Sequence, residues 1–163
     1  MLLAGPTFGA DADPKFKAGE EMLDAWRTAQ AEEFAAKALK EDPKSAAALE
    51  FDARVKFYEG RYAEALAVFE RALAIDSTNQ RRQALKLLTQ FTVDVHKSLK
   101  RHESAHFVLF ADDKRDAILV PHALAALEKS YETTGAELGF YPKEKVRVEI
   151  APDATSFNAI STL

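Results

Sequence analysis

The chain has 163 residues, with 22 Lys and Arg against 26 Asp and Glu and a net charge of −4, so it lacks the basic excess that would neutralise a run of phosphates. Cysteine is absent, which excludes disulfides, thiolate metal sites and cysteine nucleophiles while leaving the redox compartment open. No apolar run approaches the length of a membrane span, and six glycines and six prolines are too few for a disordered or loop-dominated chain.

Helix is the default expectation for such a composition, in one ordinary domain or two small ones. The opening residues 1–12 are small and apolar and close in Ala10-Asp11-Ala12, an A-x-A pattern of the kind signal peptidase cuts after. They read as the remnant of a secretory signal, which places the protein in the periplasm or outside the cell. The charged opening of a complete signal is missing, and the alternative is a frayed or mis-started N-terminus on a cytoplasmic protein.

The stretch from residue 13 to about residue 100 carries an internal repeat. A shift of 34 residues lays Arg27 on Arg61, Ala29 on Ala63, Ala31 on Ala65, Ala38 on Ala72, Leu39 on Leu73 and Asp42 on Asp76. In the clearer copy Gly60 stands at a turn and Tyr62 follows it. Ala65 and Phe69 make an A-x3-F step, Ala72 lies one turn on and Asp76 closes the unit. The earlier copy keeps Gly19, Ala31, Ala38 and Pro43 but has Ala35 where the aromatic belongs. Small residues let two helices approach closely, with Phe69 as the knob between them. This period and these residues resemble the tetratricopeptide repeat, a helix pair. Two repeats cannot bury both faces, so a capping helix is expected over about residues 79–100. Asn79 would be its N-cap, and Leu85, Leu88, Thr92, Val95 and Leu99 its apolar stripe. The resemblance implies a concave surface that holds a protein or peptide through inner-helix residues such as Glu50, Arg54 and Tyr58. A bare spacer, or a block docking on the chain's own second domain, is the other reading.

Beyond Arg101 the period changes. His106-Phe107-Val108-Leu109-Phe110 is a short apolar strand bounded by the polar run 111–116. Pro121 sits near the start of a long helix that carries Leu124, Leu127, Tyr131 and Leu138 and ends at Gly139. Val146, Val148 and Ile150 alternate with Arg147 and Glu149, the period of a half-exposed strand, and Pro152 to Thr155 start a last helix. The order is β-α-β-α, the opening of a small α/β domain over residues 101–163, which is too short to complete such a fold. The final residues lack a helix stop signal, and the chain reads as cut at its C-terminus.

His102-Glu103-Ser104-Ala105-His106 matches the His-Glu-x-x-His zinc motif. On a helix the two imidazoles would share one face, Glu103 would activate a bound water and Glu128, 22 residues after His106, could complete the ligand set. The strand that starts at once in Phe107 argues for an extended or terminal segment, where the two histidines would lie far apart. His96 and His122 stand alone and read as structural.

The ordered series from Ser104 to Leu163 resembles the start of the peptidase-MA-like domain, a gluzincin-type metallopeptidase family often joined to tetratricopeptide repeats in bacteria. It is carried by Ser104-Ala105-His106-Phe107-Val108-Leu109, by Leu127-Glu128 and Tyr131, and by Gly139-Phe140-Tyr141-Pro142. Lys145-Val146-Arg147-Val148-Glu149-Ile150, Pro152 and Phe157 continue it. In that family the catalytic helix follows this segment. The resemblance therefore implies that His102 to His106 is accidental, that the zinc site of a longer parent lies beyond Leu163, and that this chain holds no catalytic or metal-binding residue of its own. The fold class expected is mainly α, tetratricopeptide pairs followed by an incomplete α/β domain. The function expected is that of an N-terminal part of an exported metallopeptidase-like protein. Its repeats would bind protein or peptide, with no nucleic-acid partner, no membrane span and no cofactor in this chain. A non-enzymatic repeat adaptor is the alternative, and a zinc site at the His102 to His106 segment the third.

Overall fold

A computed structural model describes residues 13–161 of the chain. A short 3-10 turn, Pro14–Phe16, leads into α1 (Lys17–Asp24), α2 (Thr28–Glu41), α3 (Ala46–Tyr58), α4 (Tyr62–Ile75) and α5 (Gln80–Ser98). Then follow β1 (Lys100–Glu103), β2 (Phe107–Ala111), α6 (Leu119–Leu138), β3 (Val146–Glu149) and α7 (Ala154–Ser161). The protein is mainly helical with a small three-stranded sheet. No helix among the described residues is long and apolar enough to cross a membrane. The chain divides into two compact units. One is residues 13–93 together with 158–161, and the other runs from Asp94 to Phe157, so the last turn of α5 belongs with the sheet rather than with the helices before it. The candidate signal remnant at residues 1–12 lies outside the described residues.

In the first unit the 34-residue period is a period of backbone geometry. Helices α2 and α4 begin and end 34 residues apart, and α3 and α5 begin 34 apart. Helices α3 and α5 are started by the same device at the same register. Ser45 Oγ accepts the Ala48 N–H at 3.2 Å and Asn79 Oδ1 accepts the Arg82 N–H at 2.9 Å, satisfying one orphan donor of each helix start. The loops between them also match, because Asp42 Oδ1 accepts from Lys44 N at 3.1 Å and Asp76 Oδ1 from Thr78 N at 3.4 Å. The tight turns that precede α2 and α4 turn on a positive φ, +55° at Trp26 and +74° at Gly60. Glycine adopts that conformation freely, whereas a tryptophan pays strain for it.

Helix α3 is the spine, and it is buried nearly all round because it has neighbours on both sides, charged residues such as Asp52 and Arg54 included. Its Ala48, Phe51 and Val55 join Phe16, Leu23, Ala31 and Ala35 in one core cluster, and its Leu49 and Ala53 join Val68, Phe69, Ala72 and Leu85 in another. Ala31, Ala35, Ala65 and Ala72 have no exposed surface, as close helix contact requires. Gly19 serves the same end. A Cβ there would lie 2.5 Å from Phe51 Cζ, so only glycine admits the ring that closes the first cluster.

The second unit is built on β2. Its Phe107, Leu109 and Ala111 are buried while Val108 and Phe110 are half-buried, the alternation expected of a central strand covered on one face. Leu109 and Ala111 pack with Val120, Ala123, Leu124, Val148 and Ile150. Strand β3 pairs parallel to β2, Leu109 opposite Val148, which requires the crossover that α6 supplies. Helix α6 ends at Gly139, φ +65°, an αL cap. The sequence reading needs one correction here: the order is β-β-α-β-α. Strand β1 pairs antiparallel to β2, His102 opposite Leu109. Its Lys-Arg-His-Glu sequence carries no apolar alternation, since it is an exposed edge strand whose charged side chains face water.

Candidate functional site

The 3-10 turn with the start of α1, the start of α3 and the start of α5 line a common cavity of about 520 Å³ in the first unit. Its wall is made by Asp13, Phe16 and Glu20, then by Ala47, Glu50 and Phe51, then by Asn79, Gln80, Arg81 and Arg82. Asp13, Ala47 and Arg81 stand at one register of the period, and Phe16 and Glu50 at the next. A face that recurs in this way is the inner surface of a helical stack.

Charge is concentrated on this face and is internally paired. Glu50, 9% exposed, sets Oε1 against Arg81 Nε at 3.0 Å and Oε2 against Arg82 Nε at 2.9 Å. Both are ion-pair contacts rather than aligned hydrogen bonds, since neither Nε has a hydrogen-bond partner. Arg82 also donates from Nη1 to Asp76 Oδ2 at 2.6 Å, which ties the start of α5 to the end of α4. Arg54 is buried and pairs with Glu20, the residue one full period before it. The predicted binding residues are thus distributed unevenly. Glu50 lines the cavity. Arg54 stands behind it, occupied by Glu20. Tyr58 lies at the far end of α3, half-buried against the first core cluster, its ring 5.6 Å from that of Trp26. The sequence reading missed Arg81, Arg82, Glu20 and Phe16. The period itself points to them, since Arg81 is one step from Ala47 and Phe16 one step from Glu50.

The His-Glu-x-x-His segment forms no helix. His102 and Glu103 lie on β1, and Ser104 to His106 make the hairpin turn, closed by Ser104 N–H to the Phe107 carbonyl at 3.0 Å. The two imidazoles turn to different carboxylates. His102 Nε2 lies 2.8 Å from Asp113 Oδ1, and His106 Nδ1 lies 2.7 Å from Glu128 Oε2. Glu103 pairs with Lys145 at 2.6 Å. Glu128 does meet His106, as its spacing allowed, but in a pair rather than a triad. Among the described residues no three His, Asp or Glu side chains are placed to hold a metal ion.

Glu128 is the most perturbed acid of this unit. The Ser104 hydroxyl beside it, the His106 main-chain N–H at 2.9 Å and the His106 ring hold its carboxyl down at about 2. The ring of His106 stacks on Tyr131, centroids 3.8 Å apart, so the pair is locked on α6 and fastens the hairpin to that helix. His96 is likewise engaged, 3.2 Å from Glu149. Burial pushes the Glu149 carboxyl up, but hydrogen bonds from His96 and Arg147 outweigh it and leave it below the usual range. His122 is exposed.

Comparison with protein-family models, with curated proteins and with solved structures finds no match.

Proposed function

We propose that the first unit is a tetratricopeptide-type module that holds a protein or peptide in its inner groove. We further propose that the second unit opens a peptidase-MA-like domain of an exported metallopeptidase-like protein. The observation that carries the binding half is the cavity wall, in which Asp13 at the head of the 3-10 turn, Ala47 on α3 and Arg81 on α5 stand at a common register of the 34-residue period. A groove of this kind takes an extended chain along its length, and its mixed Glu and Arg lining offers both donors and acceptors to it. The peptidase half rests on the sequence resemblance and on the β2-α6-β3 crossover that accompanies it.

Zinc, which that family uses, finds no matching ligand set at the His102 to His106 segment. The hairpin separates His102 from His106, and each is engaged by its own carboxylate. No catalytic step is therefore routed through them, and on the resemblance alone we propose that the motif-bearing helix follows Leu163. The gene tests this directly. An open frame past the Leu163 codon that encodes a second His-Glu-x-x-His is the expected result, and a stop codon there refutes the peptidase half. The adaptor reading then stands in its place, favoured by a groove formed wholly within the first unit.

A further inference from the structure

We infer that the face of α5 that carries Leu87 and Phe91 is a docking site for an amphipathic helix of a partner protein, one whose contact stripe is made of alanines. The inference rests on the 34-residue period and stands apart from the inner groove.

Leu87 and Phe91 are one turn apart and share a face of α5. One period earlier stand Ala53 and Phe57 on α3, and two periods earlier Gly19 and Leu23 on α1. Both earlier pairs are buried, in each case against the helix that follows their own. Leu23 packs with Ala31 and Ala35 of α2, and a Cβ on Gly19 would lie 3.1 Å from the Phe34 ring. Ala53 packs with Val68, Phe69 and Ala72 of α4, and the Phe57 ring centroid lies 4.8 Å from that of Tyr62. On α5 the same two positions are 56% and 55% exposed. The chain passes from α5 into β1 where the period calls for a third partner helix. Residues 158–161 belong to the same unit and leave both side chains more than half open. The terminal element of a helical stack ordinarily turns a polar face outward, which keeps it soluble. A leucine beside a phenylalanine there marks an interaction surface instead.

The period sets the form of the occupant, and the side chains on α5 set its composition. Helices α2 and α4 are amphipathic and meet the core through small residues, Ala31, Ala35 and Ala38 in α2 and Ala65 and Ala72 on either side of Phe69 in α4. Two helices approach closely only where one of them is small at the contact. Gly19 and Ala53 are the small residues on α1 and α3, and each is accompanied by a ring of the following helix, Phe34 for the first and Phe69 for the second. Leu87 is large, so the small residues must come with the incoming helix, in a stripe like Ala31, Ala35 and Ala38. A second copy of this chain does not supply that stripe. Its Ala31, Ala35, Ala65 and Ala72 have no exposed surface, and two α5 faces would set bulky side chains against each other.

The test titrates the ¹⁵N-labelled full chain with a synthetic copy of α2, Thr28–Glu41, acetylated and amidated. A lactam between Glu33 and Lys37, both exposed in α2, holds so short a peptide helical without touching its alanine stripe. Saturable backbone shifts centred on residues 84–91 are expected. Leu87→Glu and Phe91→Glu in the chain should each weaken binding at least about tenfold, with the melting curve unchanged because both positions are exposed. Ala35→Leu in the peptide should weaken it as much, by removing the small residue at the middle of the stripe. Binding indifferent to Leu87→Glu and Phe91→Glu, equal or tighter binding of the Ala35→Leu peptide, or no saturable shift up to about 1 mM would overturn the inference. Shifts confined to the groove residues 13–20 and 46–51, or to α1 and α3 as the peptide displaces α2 from its own seat, would do the same. So would a dimer of the free chain in sedimentation that Leu87→Glu dissolves, since the face would then belong to a second copy.

Discussion

The two copies of the 34-residue repeat share a backbone and differ in what fills it. In the second copy one fully buried ring, Phe69, sits among Leu49, Val68 and Leu85. In the first its place is taken by Ala35, and the volume comes from elsewhere. Phe16, Phe34 and Phe51 form a mutually touching trio, with centroids 5.4 to 6.0 Å apart, and Gly19 makes room for it. The turns differ likewise, Gly60 in one and Trp26 in the other at nearly the same φ. Helix boundaries, caps and loop hydrogen bonds are therefore set by the repeat, while the core is an independent solution to the same packing problem in each copy.

The largest effect expected from that difference is at Phe69. Phe69→Ala makes the second copy resemble the first at that position but brings no compensating trio, and should cost about 3–5 kcal/mol in urea unfolding of the first unit. A cost below about 1 kcal/mol would mean that the copies are interchangeable. Next comes the shared groove. Glu50→Gln leaves Arg81 and Arg82 beside each other with Arg81 stripped of its counter-charge, and should cost about 3 kcal/mol. Gly19→Ala forces Phe51 aside and should cost about 1–3 kcal/mol, an effect confined to the first copy. The turn pair follows. Gly60→Ala should destabilise by about 1–2 kcal/mol, whereas Trp26→Gly should change stability by less than about 1 kcal/mol, because relief of the left-handed strain is offset by loss of the ring contact with Tyr58. Equal losses at both turns would show that Trp26 is unstrained.

The gentlest perturbation is acid, and it acts on the second unit. Glu128 has its carboxyl held down at about 2 against an ordinary 4.5. A carboxyl depressed in the folded state adds stability that is complete above its unfolded value and is lost as pH falls toward the folded one. Melting of the sheet, followed by amide exchange of β2, should weaken as pH drops from about 4.5 to about 2. Glu128→Gln should flatten that dependence without moving the first unit.

Much of this architecture could be read from the sequence. The helices of the repeat were readable because Ala31, Ala38, Ala65 and Ala72 mark close contacts at a fixed spacing, and β2, α6 and β3 because their apolar periods are unambiguous. Strand β1 was not, since an edge strand of charged residues has no apolar signal. The positive φ at Trp26 was hidden, because residue type argues against it and only the offset from Gly60 argues for it. On the groove, Glu50 is within reach of the sequence, but the pairing of Arg54 with Glu20, one period upstream, is not. Arg81 and Arg82 carry no apolar signal on α5, whose legible feature is its apolar stripe, although Arg81 stands one period after Ala47, three residues before Glu50.

The most direct test of the groove is hydrogen exchange by mass spectrometry on the intact chain, with and without a peptide selected on it from a display library. The account predicts added protection at the 3-10 turn with the start of α1 and at the starts of α3 and α5 together, over residues 13–20, 46–51 and 79–82, and none along α2 or α4. Protection that follows α2 and α4, or that falls on one helix alone, would contradict a binding face built from the common register of three helices.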